Sequence, residues 1–125
     1  MQPTWYRDGD YLSPHNDAGV GRRVAFAWHL GEGWEAGAGG ELAFVCAATP
    51  TQPHFNRLTL FVAQPSASSR SANGQTHAVL PVTQPNANRF ALSGWFTDAS
   101  RTRATDHVAL GNQIVSPLGG AHARG

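Results

Sequence analysis

The stretch Arg-Arg-Val-Ala-Phe-Ala-Trp-His-Leu at residues 22–30 decides the fold. Its residues alternate with a period of two, which is the pattern of a β-strand whose two faces meet different surroundings. One face consists of large apolar side chains and predicts a packing face: Val24, Phe26, Trp28 and Leu30. The other face carries alanines bracketed by polar groups: Arg23, Ala25, Ala27 and His29. Small residues on this second face leave room inside a barrel for something other than side chains.

A second stretch, residues 89–96, repeats the pattern. Its apolar face is made of Phe90, Leu92 and Phe96, and its opposite face of Arg89, Ala91, Ser93 and Trp95. An unpaired guanidinium on an inward face carries a large desolvation cost, so this face favours a cavity that binds an anionic ligand. The alternative is a solvent-exposed face on which small residues are tolerated.

The rest of the chain contains further short segments of this kind. Seven period-two segments are separated by Gly, Pro, Asn or Asp, as in all-β sandwiches and barrels: residues 4–7, 10–14, 22–30, 40–46, 57–63, 77–83 and 89–96. The Asp8-Gly9 pair predicts a tight hairpin that pairs the first two strands. We expect one all-β domain over residues 1–98, a mobile polar surface loop over 64–76, and a flexible C-terminal tail over 99–125.

Length, charge and composition exclude several classes of protein. The chain has 125 residues, which is the size of a single domain, and its one cysteine, Cys46, excludes an intramolecular disulfide. Nine arginines, no lysine and eight acidic residues give a net charge of +1, far from the basic excess of nucleic-acid-binding proteins. No apolar run approaches the ~20 residues of a membrane span, and no signal-peptide pattern opens the chain. We therefore expect a soluble, cytoplasmic protein with neither a nucleic acid nor a membrane as partner.

Three residues form a candidate metal site. His15 and Asp17 flank Asn16, so in an extended segment both side chains project to the same side, about 7 Å apart along the chain. A third ligand must come from elsewhere, and His77, at the start of the sixth predicted strand, is the best placed of the other histidines. Two imidazoles and one carboxylate form the facial triad of non-haem Fe(II) oxygenases. The competing interpretation is a surface turn, in which a His-x-Asp sequence is common.

The remaining tryptophans and histidines are assigned to packing or to solvent. Trp5, Trp28 and Trp34 are predicted to pack in the core, and Trp95 is left unassigned. The histidines in loops or in the tail are predicted to be ordinary solvated residues: His54, His107 and His122.

Taken together, these motifs resemble the 2-oxoglutarate and Fe(II)-dependent oxygenases, in their prolyl-hydroxylase-like branch. The matching stretches follow the family's order and cover most of residues 4–98: YRDGDYLSPHND at 6–17, RRVAFAWHL at 22–30, Trp34 with GGEL at 39–42, FNRLTLF at 55–61, HAVLPV at 77–82 and NRFALSGWF at 88–96. The resemblance implies a double-stranded β-helix, a jelly roll whose two sheets enclose the metal. This fold agrees with the all-β prediction.

The resemblance also implies roles for individual residues. His15, Asp17 and His77 would bind Fe(II), and Arg89 would form a two-pronged pair with the far carboxylate of 2-oxoglutarate. The expected reaction consumes O2 and 2-oxoglutarate, releases succinate and carbon dioxide, and hydroxylates a substrate, with ascorbate as a supporting reductant. The expected substrate is a prolyl residue in a peptide or protein, or a small molecule.

Three more residues are expected around the cosubstrate. Tyr6 matches a family tyrosine near 2-oxoglutarate, and His29 stands where many relatives have a tyrosine that binds the far carboxylate. Ser93 shares the strand face of Arg89 and is expected to line the same site. The chain departs from the family at Ala91, where relatives often have a serine that helps to hold this carboxylate.

Two alternatives to an active hydroxylase remain open at this point. Relatives carry helices before the first motif that buttress one sheet, so this chain is either a compact variant or a fragment, and residues such as Val24 and Phe26 would then lie exposed. A non-catalytic jelly-roll module would keep the metal site and bind a partner through that uncovered sheet. A cupin-like metal protein with another cosubstrate is a third interpretation, against which Arg89 argues because cupin sites need no such cation.

Overall fold

The computed structural model describes residues 1–63, 75–98 and 114–115. They form eight strands: β1 (Gln2–Tyr6), β2 (Tyr11–His15), β3 (Arg22–His29), β4 (Leu42–Phe44), β5 (Arg57–Val62), β6 (His77–Val79), β7 (Arg89–Thr97) and β8 (Ile114–Val115). Each of the seven segments predicted from the sequence overlaps one of the strands β1 to β7, although β4 and β6 are shorter than predicted. The strand β8 lies within the predicted tail, and the rest of that tail and most of the predicted loop 64–76 fall outside the described residues.

The strands assemble into two antiparallel sheets. The first has the order β1-β7-β3-β5 and the second the order β4-β6-β2-β8. Successive strands therefore lie in opposite sheets along the whole described chain, which is the winding of a jelly roll. The prediction of an all-β double-stranded β-helix is confirmed, since no helix occurs among the described residues. In the same part of the chain, no helix is long and apolar enough to span a membrane.

The predicted hairpin between β1 and β2 is wrong. β1 pairs with β7, whereas β2 pairs with β6 and β8. The Asp8-Gly9 turn itself is present, because Gly9 has a φ of 83° and the Asp10 N–H donates to the Arg7 carbonyl at 2.8 Å. This turn moves the chain from the first sheet to the second instead of returning it along the same sheet.

The core lies between the inner faces of the two sheets. On β3, Ala25, Ala27 and His29 are buried, with exposures of 1%, 7% and 0%. The interpretation of this face as solvent-exposed is therefore wrong. The residues that pack with its alanines come from both sheets and their connections: Tyr6, Leu42, Phe61, Ala63, Val79 and Val82. Because the inner face of β3 carries alanines, it leaves space between the sheets.

The outer face of the first sheet is apolar and largely exposed, which corrects the prediction of a packing face there. Trp28, predicted to pack, is 38% exposed, and Trp5, also predicted to pack, is 57% exposed. Their indole N–H groups donate to the side chains of Asn56 and Asn88 at 3.1 and 3.0 Å. We define the outer face by its exposed members: Trp5, Trp28, Leu58, Leu60, Val62, Phe90 and Phe96. Strand alternation reports which residues share a face, but it does not report what covers that face.

The pairing of β2 with β6 contains an irregularity next to His15. Leu12 lies opposite Val79, and His15 lies opposite His77. Three residue steps on β2 therefore match two on β6, which is the signature of a β-bulge. The bulge places the last residue of β2 directly opposite the first residue of β6.

Candidate functional site

The three residues predicted to bind a metal converge where β2 and β6 meet. The Asp17 carboxylate lies 3.5 Å from Nε2 of His15 and 3.7 Å from Nε2 of His77. The two imidazole centroids are 4.3 Å apart. One ligand atom from each residue lies within 4.8 Å of the others, so all three can reach a single ion. Both Asp17 and His77 are buried, with 8% and 4% exposure.

The two imidazoles are oriented in the same way. Nδ1 of His15 lies 2.8 Å from the Ser13 carbonyl, and Nδ1 of His77 lies 2.9 Å from the Gln75 carbonyl. A carbonyl oxygen only accepts hydrogen bonds, so each Nδ1 carries the proton and donates. Each Nε2 is then the nitrogen that faces Asp17: when protonated it donates to the carboxylate, and when neutral it offers a lone pair to a metal. Backbone carbonyls that hold the far nitrogen in this way are the usual support of metal-binding histidines.

The charges of this cluster suit a cation. Burial raises the pKa of Asp17, but the hydrogen bond with His15 and the charges of both histidines outweigh it, so the pKa is lowered overall. The hydrogen bond with Asp17 raises the pKa of His15, whereas burial lowers the pKa of His77. With neutral imidazoles the cluster carries one negative charge and two nitrogen lone pairs, as a divalent metal requires.

Arg89 is a buried cation at the start of β7. It is 4% exposed, its Nε donates to the Gly40 carbonyl at 2.6 Å, and its guanidinium lies 4.9 Å from the centre of the Tyr6 ring. Burial lowers the pKa of Arg89 to about 10. Among the described residues it forms no salt bridge with a carboxylate. A buried guanidinium in this state would be stabilised by a bound anion.

Arg89 and the metal-ligand cluster face one cavity between the sheets. The cavity offers about 80 Å³ to the centres of water-sized molecules. Its wall includes six of the seven predicted site residues: Tyr6, His15, Asp17, His77, Arg89 and Ser93. A cation site and an unpaired guanidinium therefore share a single volume, as a ligand that bridges a metal and an arginine requires.

The seventh predicted site residue, His29, does not line this cavity. It is fully buried, lies opposite Ala91 of β7 and Arg57 of β5, and neither of its ring nitrogens has a hydrogen-bond partner. Burial, together with the charges of Arg89 and Arg57, lowers the pKa of His29 to about 3. The ring is therefore neutral and keeps one buried N–H donor without an acceptor. Such a donor is unusual in a folded protein and marks a position where a ligand or water is expected.

Sequence reasoning missed part of the cavity wall. Gln2, Thr4 and Trp95 also line it. Trp95 is stacked under the Arg22 guanidinium at 3.8 Å, and its buried indole N–H lies on the side of Asp17, whose pKa it helps to lower. The alternation of β1 contains the missing signal, because Gln2 and Thr4 share the strand face of Tyr6.

Comparison with known proteins places this geometry in a family. The model of the 2OG-Fe(II) oxygenase superfamily matches residues 1–97. Prolyl 3-hydroxylase OGFOD1 of Mus musculus is 30% identical over 107 residues, which cover 78% of this chain and 18% of that protein.

Solved structures of prolyl hydroxylases are similar as well. A prolyl-4-hydroxylase of Pseudomonas putida superposes with a TM-score of 0.61 at 26% identity, over 77% of this chain and 46% of that one. A prolyl hydroxylase of Trichoplax adhaerens, in complex with a peptide fragment of the hypoxia inducible factor oxygen degradation domain, gives 0.62 at 25% identity, over 78% and 43%. A Phytophthora capsici prolyl 4-hydroxylase gives 0.57 at 27% identity, over 79% and 31%.

The chain thus spans less than half the length of each of these relatives. The family match nevertheless covers β1 to β7 and all three residues of the metal-ligand cluster. This chain belongs to the 2OG-Fe(II) oxygenase superfamily.

Proposed function

We propose that the chain is an Fe(II)- and 2-oxoglutarate-dependent dioxygenase that hydroxylates a prolyl residue in a peptide or protein. The observation that carries this proposal is the shared cavity, in which a His-Asp-His cluster and an unpaired buried arginine meet. Family membership supports the dependence on Fe(II) and 2-oxoglutarate. The prolyl substrate is supported by the relatives, which are prolyl hydroxylases.

The donor set of the cluster fits iron. His15, Asp17 and His77 would hold Fe(II) through two imidazole nitrogens and a carboxylate oxygen and would leave coordination positions for other ligands. The two imidazoles are held by backbone carbonyls and do not need to rotate for binding. When bound, Fe(II) supplies the activation of O2, with 2-oxoglutarate as the reductant that leaves as succinate and carbon dioxide while the substrate gains a hydroxyl group.

Arg89 would hold the far carboxylate of 2-oxoglutarate. Its planar fork matches a carboxylate with two parallel hydrogen bonds, and the low exposure of the site strengthens this pair. Tyr6 packs against the same guanidinium and keeps water from it. Ser93 offers a hydroxyl on the cavity wall, whereas the N–H of His29 lies off that wall and would need a bridging water to reach the carboxylate.

The metal cluster is tested by single alanine variants. Purified protein is incubated with Fe(II), O2, ascorbate, 2-oxoglutarate and a synthetic proline-containing peptide, and succinate and peptide oxygen gain are measured by mass spectrometry. We expect His15→Ala, Asp17→Ala and His77→Ala to abolish succinate formation, because two ligands hold the metal too weakly. Asp8→Ala removes an exposed carboxylate in the β1–β2 turn and serves as the matched control with unchanged turnover.

The outcomes separate the parts of the proposal. Succinate at the parental rate from any of the three variants contradicts that ligand. Succinate formed without peptide oxygen gain contradicts the prolyl substrate and keeps the oxygenase. Metal binding without any succinate contradicts the enzyme and favours the non-catalytic module.

A further inference from the structure

Gly40 makes two contacts with Arg89 from a distant part of the sequence. Its carbonyl accepts the Nε hydrogen bond at 2.6 Å, a buried contact across 49 residues. A Cβ placed on Gly40 would lie 2.9 Å from Cδ and 3.5 Å from Cβ of Arg89. Gly40 also has a φ of 78°, a conformation that side-chain-bearing residues rarely adopt. The absence of a side chain at Gly40 is therefore what lets the Arg89 stem pass and its Nε reach the carbonyl.

The backbone at Gly40 is fixed independently of Arg89. The peptide group between Gly39 and Gly40 is held at both ends, because the Trp34 indole N–H donates to the Gly39 carbonyl at 2.8 Å and the Gly40 N–H donates to the Pro81 carbonyl at 3.2 Å. Gly39 also forms a β-bridge with Val82. The Gly40 carbonyl follows this held peptide group and precedes the Glu41 carbonyl, which accepts from the Leu80 N–H at 2.9 Å, so the acceptor of Arg89 lies in a segment anchored on both sides.

This contact decides which edge of the guanidinium remains for a ligand. A carboxylate can pair with arginine side-on, through Nε and one Nη, or end-on, through both Nη groups. Nε is the only Arg89 atom that donates a hydrogen bond within the described chain, and its acceptor is Gly40. The side-on edge is therefore occupied, and the end-on edge is left for the cavity.

We propose that Gly40 is a positioning residue for cosubstrate binding: it turns Arg89 so that both Nη groups meet the far carboxylate of 2-oxoglutarate end-on. The inference rests on the proposed role of Arg89 as the cosubstrate clamp. It adds a residue that touches neither the cosubstrate nor the metal. It also predicts that a methyl group added at position 40 lowers the affinity for 2-oxoglutarate.

The test compares two ligands that differ only at the far end. 2-Oxoglutarate and 2-oxobutanoate share the 2-oxo acid group, but 2-oxobutanoate lacks the second carboxylate. Their dissociation constants are measured calorimetrically on anaerobic Fe(II)-loaded protein. We expect Gly40→Ala to lower the affinity for 2-oxoglutarate by about tenfold to a hundredfold, the usual effect of disturbing a hydrogen bond to a charged group. The affinity for 2-oxobutanoate should remain within about twofold of the parent, because this ligand has no second carboxylate for Arg89 to bind. General destabilisation of the protein would instead lower the affinity for both ligands alike.

Two further variants make the result specific. Gly37→Ala is the matched control, because Gly37 has a φ of 88° and nothing within 4 Å of an added Cβ, so it reproduces the backbone strain without touching Arg89. In Gly37→Ala, the ratio of the affinity for 2-oxoglutarate to the affinity for 2-oxobutanoate should equal the ratio in the parent. Trp34→Phe removes the hydrogen bond to Gly39 without adding atoms, and it should shift the ratio in the same direction as Gly40→Ala by a smaller factor.

Arg89→Ala separates this inference from the proposal beneath it. If Arg89→Ala leaves the ratio unchanged, the proposed clamp is wrong. If Arg89→Ala lowers the ratio while Gly40→Ala does not, the clamp stands and the role of Gly40 is overturned. Should Gly40→Ala fail to fold, Trp34→Phe decides, and an unchanged ratio in that variant overturns the inference.

Discussion

The two faces of the first sheet contrast sharply in what they bury. On the inner face, Ala27 and Ala91 are 7% and 0% exposed, although each contributes little apolar surface. On the outer face, Leu60 and Phe96 are 56% and 59% exposed, although each is large and apolar. The same strands therefore bury their smallest side chains and expose some of their largest.

This contrast shows that the interior is shaped for a ligand and not for maximal packing. A core built only for stability would place the large side chains inside, where a buried leucine or phenylalanine contributes about 1.5–3 kcal/mol. The inner face instead surrounds a cavity with alanines, a cation and a metal-ligand cluster. Substitutions on the inner face should therefore affect binding and stability strongly, whereas matched substitutions on the outer face should not.

The largest expected effect separates two neighbours on β7. Arg89→Ala should weaken 2-oxoglutarate binding by about 30-fold to several-thousand-fold, which corresponds to the roughly 2–5 kcal/mol cost of truncating one partner of a buried charge pair. Arg89→Lys should also weaken binding, because it keeps the charge and loses the fork. Phe90→Ala, on the outer face, should leave binding unchanged. Calorimetric titration measures all three, and a loss in Phe90→Ala equal to that in Arg89→Ala would break the comparison.

The next effect concerns the acid stability of β3. The pKa of His29 is lowered from 6.5 to about 3 in the folded state, so between these values the unfolded chain binds more protons than the folded chain. Stability should therefore fall as the pH drops, by up to about 1.4 kcal/mol per pH unit from this group. Urea unfolding from about pH 7 to about pH 4 measures how the unfolding free energy falls with pH. The fall should be shallower in His29→Gln than in the parent, and it should equal that of the parent in Trp28→Phe. Identical slopes in the parent and His29→Gln would remove His29 as the cause.

The third prediction concerns how tightly side chains are packed on the inner face of β7, outside the cavity wall. Ala91 is fully buried and is not part of the cavity wall, so Ala91→Leu adds three carbons to a position enclosed by protein. Overpacking of this kind typically costs about 1–3 kcal/mol of unfolding free energy. Thermal or urea denaturation gives the value. A cost near zero would show that the sheet has free volume at this position.

The smallest effect is expected on the outer face itself. Leu60→Thr replaces an exposed leucine on the edge strand β5 with a residue of high β-propensity, and it should change the unfolding free energy by no more than about 0.5 kcal/mol. Because the exposed apolar patch becomes smaller, Leu60→Thr should self-associate no more than the parent in sedimentation velocity. A stability loss of several times this size would mean that Leu60 is packed in solution.

Local patterns in the sequence predicted much of this arrangement. The alternation in residues 22–30 separated the two faces of β3, but it left open whether the alanine face lines a cavity or meets solvent. The prediction that the large apolar side chains of that stretch are packed was wrong, because periodicity carries no information about what lies beyond a sheet. Joining His77 to His15 and Asp17 required the family resemblance, since their sequence separation is too long for spacing to decide.

The rest depended on contacts between distant segments. The Asp8-Gly9 turn was predicted correctly as a turn and wrongly as a hairpin, because turn chemistry does not determine which sheet the next strand joins. The contact between Gly40 and Arg89 has no local signal, since it arises where a loop and a strand from different parts of the chain meet. Trp95 was left unassigned because a tryptophan suits a core and a cavity wall equally well.

The bulge in β2 decides which way His15 faces. Side chains alternate along a regular strand, so Leu12 and His15, three positions apart, would point to opposite sides, yet both line the cavity. The exposed Ser13 and Pro14 supply the extra residue that reverses the alternation. Regular pairing of the same residues without the bulge would turn His15 to the opposite side of β2 and remove a metal ligand with no change of sequence. Loss of one codon at Ser13 or Pro14 would instead place His15 two positions after Leu12, on the same side of a regular strand and still opposite His77.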